Sequence, residues 1–265
     1  MLKRSASFNN SHIRKTHNSD IKKTDSLSRS TSFHALPPKS ILNIDVNYKN
    51  PILIRKYKLA IRETDLNKGL AATNQLYTSI ITDGWISHIN DMTKREKEIY
   101  KKQEKTREDL WDMRCCITHN LLNKLKNHLN RLNKMEATQN YTFFVGYNNT
   151  KPIGVMLIRK YHTRSSGVKA ISDYPEINYL ITHPSIQNYS YLLMEKAVNM
   201  SYQMGYLGKL QLIIATDELA PNVYERMGFI RIKELDNTKM ILDPNGNKAW
   251  IFSPAHGGYR FTGAC

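Results

Sequence analysis

The stretch from Pro175 to Phe229 constrains the fold more than any other part of this chain. Glu176 to Thr182 (EINYLIT) alternates and is rich in Ile, Tyr and Leu, which is a strand pattern. His183-Pro184 ends that strand, because proline has no N–H to continue a ladder. Tyr191 to Met204 then carries Leu192, Leu193, Met194, Val198 and Met200 at helical spacing, and Gly205 closes the helix. Leu210 to Ala215 is a short apolar run of the kind that fills a buried strand. Asn222 to Met227 is a second, shorter helix stopped by Gly228, and Phe229 to Ile232 starts another strand. The order is strand, loop, helix, strand, helix, strand. A helix joining two strands this close favours parallel pairing with a right-handed crossover.

The rest of the chain fits around this unit. A length of 265 residues allows one domain of roughly 200 residues with a core, plus a tail. Residues 1–40 are crowded with Ser, Asn, Lys, Arg and His and cannot bury enough surface to offset chain entropy, so they read as a disordered basic tail. Their apolar residues, Leu2, Phe8, Ile13 and Ile21, are too sparse for a transit-peptide helix, and a secretory apolar segment is absent from them. A domain is expected over 50–253, with a helical insert at about 85–137 and a C-terminal tail over 254–265. Ile52 to Arg62 reads as a strand. Asp65 can cap a helix running from Leu66 to the Asp83-Gly84 stop. Trp85 to Ile89 reads as a short helix and Lys94 to Asp109 as a charged, solvated face. Leu110 to Met135 carries Leu121, Leu122, Leu125, Leu129 and Leu132 on one stripe. Its other face holds Lys124, Lys126, His128, Arg131 and Lys134, which suits solvent, a phosphate or an acidic protein. Tyr141 to Tyr147 and Ile153 to Tyr161 form a hairpin across Asn148 to Pro152, and Lys239 to Leu242 with Ala249 to Phe252 a second across Asp243-Pro244-Asn245-Gly246.

Several chemistries are set aside by what the residues lack. No apolar run reaches the ~18 residues of a membrane span. Cys115 and Cys116 are adjacent and Cys265 stands apart, so no metal spacing exists and a reducing, cytosolic setting is expected. Neither a phosphate-binding G-x-x-x-x-G-K nor a zinc H-E-x-x-H occurs. The net charge of +16 is spread along the chain without an interleaved basic and aromatic platform, which argues against a nucleic-acid partner.

Two details are more particular. One is the order strand, His-Pro, short polar loop, then a helix containing LLMEKA. The other is the run Asp217, Ala220, Tyr224, Gly228, Phe229 after the next strand. Together they resemble the GNAT superfamily of N-acetyltransferases, over roughly Ile52 to Phe252 with the insert unmatched. The resemblance implies an α/β (α+β) fold, a mixed and mostly antiparallel twisted sheet flanked by helices, with a splayed central strand pair holding acetyl-CoA as co-substrate. It implies transfer of an acetyl group to an amine of a small molecule or protein, without a metal. In the family the loop before the helix wraps the pyrophosphate with glycines. Here Gln187, Asn188, Tyr189 and Ser190 contain none, and Asn188 and Ser190 fall where glycines usually sit. Asp217 replaces the family's Asn beside the pantetheine arm.

The same resemblance distributes roles. An amine must lose a proton and the departing thiolate benefits from gaining one. Glu176 is the expected base, with a capped or surface acid at a strand start as the alternative; Asp173 and His183 stand in reserve. Tyr224 is the expected acid, with a core tyrosine as the alternative. The N–H groups of Leu180, Ile181 and Thr182 would polarise the thioester carbonyl. Cofactor contacts are expected from these three residues and from Gln187, Asn188, Ser190 and Asp217. The Ser-rich N-terminus resembles the delivery signals of proteins injected by bacterial type III secretion. That leaves a host-targeted effector of this fold as an alternative, and the glycine-free loop leaves a catalytically degenerate binding module as another.

Overall fold

The computed structural model describes residues 44–45, 59–82, 98–99, 104, 106–135, 137–160, 174–187, 189–214, 220–232 and 238–263. The expectations for residues 1–40, for Trp85 to Ile89, and for Asp173, Asn188 and Asp217 lie outside them. In chain order the elements are β1 (Ile44–Asp45), β2 (Leu59–Thr64), α1 (Leu66–Thr82), α2 (Arg107–Lys134), β3 (Tyr141–Asn148), β4 (Lys151–Arg159), β5 (Glu176–Thr182) and β6 (Ile186–Gln187). Then come α3 (Tyr189–Ser201), β7 (Leu210–Ile213), α4 (Ala220–Arg226), β8 (Ile230–Arg231), β9 (Lys239–Leu242), β10 (Trp250–Ser253) and β11 (Gly258–Phe261).

Seven strands form one sheet in the order β2-β3-β4-β5-β7-β9-β8. Only β5 and β7 pair in parallel; the other five neighbours are antiparallel. This is the mixed, mostly antiparallel sheet flanked by helices that the sequence predicts. The period-2 pattern of the strands builds two apolar layers. On one face Phe144, Met156, Ile158, Ile177, Leu210, Leu212, Met240 and Leu242 join Leu193, Met194, Ala197 and Val198 of α3. On the other, Phe143, Val145, Val155 and Leu157 are buried under α1 and α2. Gly69 lets α1 approach the sheet closely, since a Cβ there would stand 2.7 Å from the Phe143 ring.

The helices begin where short polar side chains serve the free N–H groups of a first turn. Asp65 accepts from the Lys68 N–H at 2.8 Å, as expected. Thr106 and Asp109 form a reciprocal capping box that starts α2 three residues earlier than its apolar stripe suggests. Leu122, Leu125 and Leu129 of that stripe are fully buried.

Three boundaries depart from the sequence expectation. The first hairpin turns on Asn149-Thr150 alone, with Asn149 at φ 55°, so β3 ends one residue later and β4 starts two residues earlier than the alternation suggested. The helix expected from Tyr191 starts at Tyr189, whose aromatic ring is buried rather than part of a polar loop. The last hairpin is not β9 with β10. The turn after Leu242 does form, with the Asn245 N–H on Asp243 Oδ1 at 3.0 Å and Gly246 at φ 77°. It releases the chain away from β9, which pairs with β7 and β8 instead. β10 pairs with β11 across Pro254–His256 and Gly257. The C-terminal tail expected over 254–265 is therefore a strand over Gly258–Phe261. The Tyr259 N–H donates to Asn199 Oδ1 at 2.6 Å, the Phe261 N–H to Glu195 Oε2 at 3.2 Å, and the Phe261 ring stacks on Tyr191 at 4.6 Å.

Candidate active site between the splayed strands

The parallel pair opens almost as soon as it forms. Glu176 and Ile177 face Gln211 and Leu212 in register, and no further rungs follow. The cause lies on the opposite side of β5. Leu157 opposes Tyr179 and Ile158 opposes Ile177, so Asn178 is an extra residue in the strand. Such a bulge bends a strand and increases its twist, and here β5 stays with β4 and turns away from β7. His183 donates its N–H to the Ile153 carbonyl at 2.8 Å. Alternation therefore turns the Ile181 amide to β4 as well, and the Leu180 and Thr182 amides into the gap. Two of the three expected carbonyl-polarising groups face the opening; Ile181 does not.

Glu176 lies at the base of the gap. It is 8% exposed, which removes the alternative of a surface acid. Its Oε1 accepts from Asn178 Nδ2 and its Oε2 from Gln211 Nε2, both at 3.4 Å. These bonds are long, so the carboxylate keeps capacity for another donor. Asn178 Oδ1 is buried with no hydrogen-bond partner among the described residues. Strand register sets Tyr141, Arg159, Glu176 and Gln211 in one transverse row on the α2 face.

Above that row α2 contributes a group that the sequence expectation passed over. His128 stands edge-on to the rings of Tyr141 and Tyr179, at centroid distances of 6.0 and 5.7 Å. Its Nε2 is buried without a hydrogen-bond partner among the described residues. Burial lowers its pKa first, and the charges of Arg131 and Arg159 lower it further. The basic face of α2 was legible, but only the pairing of β3, β4 and β5 brings Tyr141 and Tyr179 together beneath His128.

Tyr224 comes from the other side of the gap, on α4 after β7. It packs edge-on to Phe229 at 5.7 Å and, with Leu180, lines the margin of the α3-side core. Burial pushes its hydroxyl up to about 12, so it carries its proton at neutral pH. Among the described residues the hydroxyl makes no hydrogen bond, and none links Tyr224 to Glu176.

The expected phosphate loop is built differently from a glycine loop. Ser190 stands in the first turn of α3, where the N–H groups of a helix are free to meet an anion. Gln187 pairs through its backbone with Asp45 of β1. The Tyr189 ring crosses Gly146 and Gly154, which are opposite one another in β3 and β4, and its hydroxyl donates to the Ala60 carbonyl at 3.2 Å. Arg114 of α2 donates to the Ile186 carbonyl at 2.9 Å and fixes the loop from the opposite face. His183 is 1% exposed, with Ser185 Oγ at 2.7 Å from Nδ1; burial and the Arg114 charge push its pKa down to about 4. Its Nδ1 also lies 3.3 Å from the Ser185 N–H, so the imidazole is engaged in the turn after β5.

Among the described residues no cluster of three His, Cys, Asp or Glu is placed to hold a metal, and no helix is long and apolar enough to cross a membrane. No family model and no curated protein matches the sequence. Solved structures do match at low identity. One is an N-acetyltransferase from Thermoplasma acidophilum in complex with coenzyme A, at 15% identity and a TM-score of 0.38, covering 69% of this chain and 96% of that one. Another is a predicted acetyltransferase with acetyl-CoA from Clostridium acetobutylicum, at 13% identity and 0.39, covering 72% and 99%. A third is the AtaT–AtaR complex bound to DNA, at 17% identity and 0.37, covering 46% and 78%.

Proposed function

We propose that this protein is an N-acetyltransferase that uses acetyl-CoA. The observation that carries the reading is the splay of β5 from β7, which leaves the Leu180 and Thr182 amides facing a gap with buried Glu176 at its base. Acetyl-CoA brings the acyl thioester. Glu176 takes a proton from the attacking amine. The Leu180 and Thr182 amides donate to the carbonyl oxygen as it gains charge, where fixed donors act most strongly. Tyr224 gives its proton to the departing sulfur, a role that its high pKa permits. The first-turn amides of α3, Ser190 included, receive the pyrophosphate, with Arg114 fixing the loop in place of glycine geometry. Gln187, Asn188 and Asp217 complete the cofactor contacts in this proposal.

One observation favours a second reading, a binding module that has lost the reaction. The loop edge that would face the pyrophosphate is paired with β1, and its Tyr189 is buried in the sheet. Titration calorimetry with acetyl-CoA, and thiol release on mixing with pooled amines, separates the two. Binding with amine-dependent thiol release supports the transferase. Absence of binding supports the module, and binding without release with any amine counts against the transferase.

A further inference from the structure

The transverse row around Glu176 has a polarity that bears on the acceptor. Arg159 is next to Glu176 across β4 and β5, on the same face. Arg131 follows His128 by three residues on α2, so the two share one helix face, and its charge with that of Arg159 lowers the His128 pKa. Among the described residues neither guanidinium has a carboxylate within ion-pair distance. Arg159 is half-buried, and a half-buried guanidinium with no carboxylate within ion-pair distance among the described residues gains from an anion that visits it. Two further polar atoms in the same place are buried and unpartnered among the described residues, Asn178 Oδ1 and His128 Nε2. Such atoms mark a place where a polar ligand completes the hydrogen bonding.

Resting on the transferase reading, we propose that the acceptor is an acidic amine, carrying a carboxylate or phosphate a few atoms from its amino group. The amino group donates to Glu176 and Asn178 Oδ1. The anionic group is held by Arg131 and Arg159, with His128 Nε2 as a neutral donor between Tyr141 and Tyr179. The pattern disfavours polyamines, whose second positive charge would fall on the arginines.

The test uses the full chain with aspartate, O-phosphoserine and glucosamine 6-phosphate as anionic probes, and spermidine and tyramine as cationic and neutral ones. Turnover with acetyl-CoA should prefer one of the anionic groups, and the carboxylate and phosphate arms show which. Arg131→Gln and Arg159→Gln should each cut the anionic-to-neutral ratio of kcat/KM by about 10- to 100-fold, the worth of one charged hydrogen bond. Arg131→Lys should restore part of it. Ligand-detected NMR of the same probes, without acetyl-CoA, reads the site independently of turnover. Anionic amines that bind and are lost in Arg131→Gln support the site even if the transferase reading fails. Equal or better use of spermidine, or an unchanged ratio in both arginine variants, overturns it.

Discussion

Tyr224 on α4 and Glu176 on β5 carry separate roles in the proposed reaction, and a substitution at Tyr224 tests one of them. Tyr224→Phe keeps the ring against Phe229 and removes only the hydroxyl. Its kcat should fall by ~10²–10⁴, the usual worth of general acid catalysis, with KM for acetyl-CoA nearly constant. Wild-type turnover in that variant, with an unchanged melting temperature, would return Tyr224 to a packing role. His183 gives a pH prediction. Its folded pKa of about 4 lies below the ordinary histidine value near 6.5, so the unfolded chain binds the extra proton between them. That stability is complete above about pH 6.5 and is lost as pH falls toward 4, about 2 kcal/mol of it by pH 5. Burial lowers the pKa values of His119 and His128 as well, with the same sign. The melting temperature should therefore fall from pH 7 to pH 5, and fall less steeply in His183→Gln. Equal slopes would remove the assignment. The strand that carries Glu176 and the short helix that carries Tyr224 were legible because each is one local run. Arg159, His128 and Asn178 were not, because cross-strand register and a bulge bring them to the site, and no local pattern encodes either.

At the level of elements, the strands and helices with strong periodicity appear where the sequence puts them, and errors gather where partners must be chosen. β9 and β10 were both recognised, yet the Asp-Pro-Asn-Gly turn between them suggested a pairing that does not form. What decides it is tertiary: Trp250 Nε1 donates to the Met227 carbonyl at 2.7 Å and holds β10 near α4, leaving β11 as its partner. A Gly-rich stretch such as HGGYRFTG resembles a loose end until its two aromatic residues are seen to be buried. Ending the chain after Ser253 should therefore lower stability by about 3–6 kcal/mol, from loss of the buried Tyr259 and Phe261 side chains. Urea unfolding measures it, and an unchanged midpoint would mean that the strand contributes nothing. The phosphate loop shows a related limit. Its lack of glycine was plain from the sequence. The anchoring of that loop by Arg114 and by the Tyr189 ring over Gly146 and Gly154 was not, since it comes from α2, β3 and β4.

For the molecule as a whole, α3 is the element on which distant parts of the chain converge. Its first residue reaches the Ala60 carbonyl, 129 positions earlier, and Glu195 and Asn199 receive the backbone of β11, 60 to 66 positions later. Contacts this far apart in sequence require loop closure before they return any energy, and they slow folding. During synthesis α3 leaves the ribosome with β2 to β5 already available, whereas the hairpin that covers Tyr191 has yet to be made. For that interval the helix can dock on one side only. Its apolar surface must wait in solvent, which makes the half-made chain a substrate for chaperones and a hazard for self-association. The start of α3 is thus fixed early by β2, while its far end waits for the separate β10–β11 hairpin.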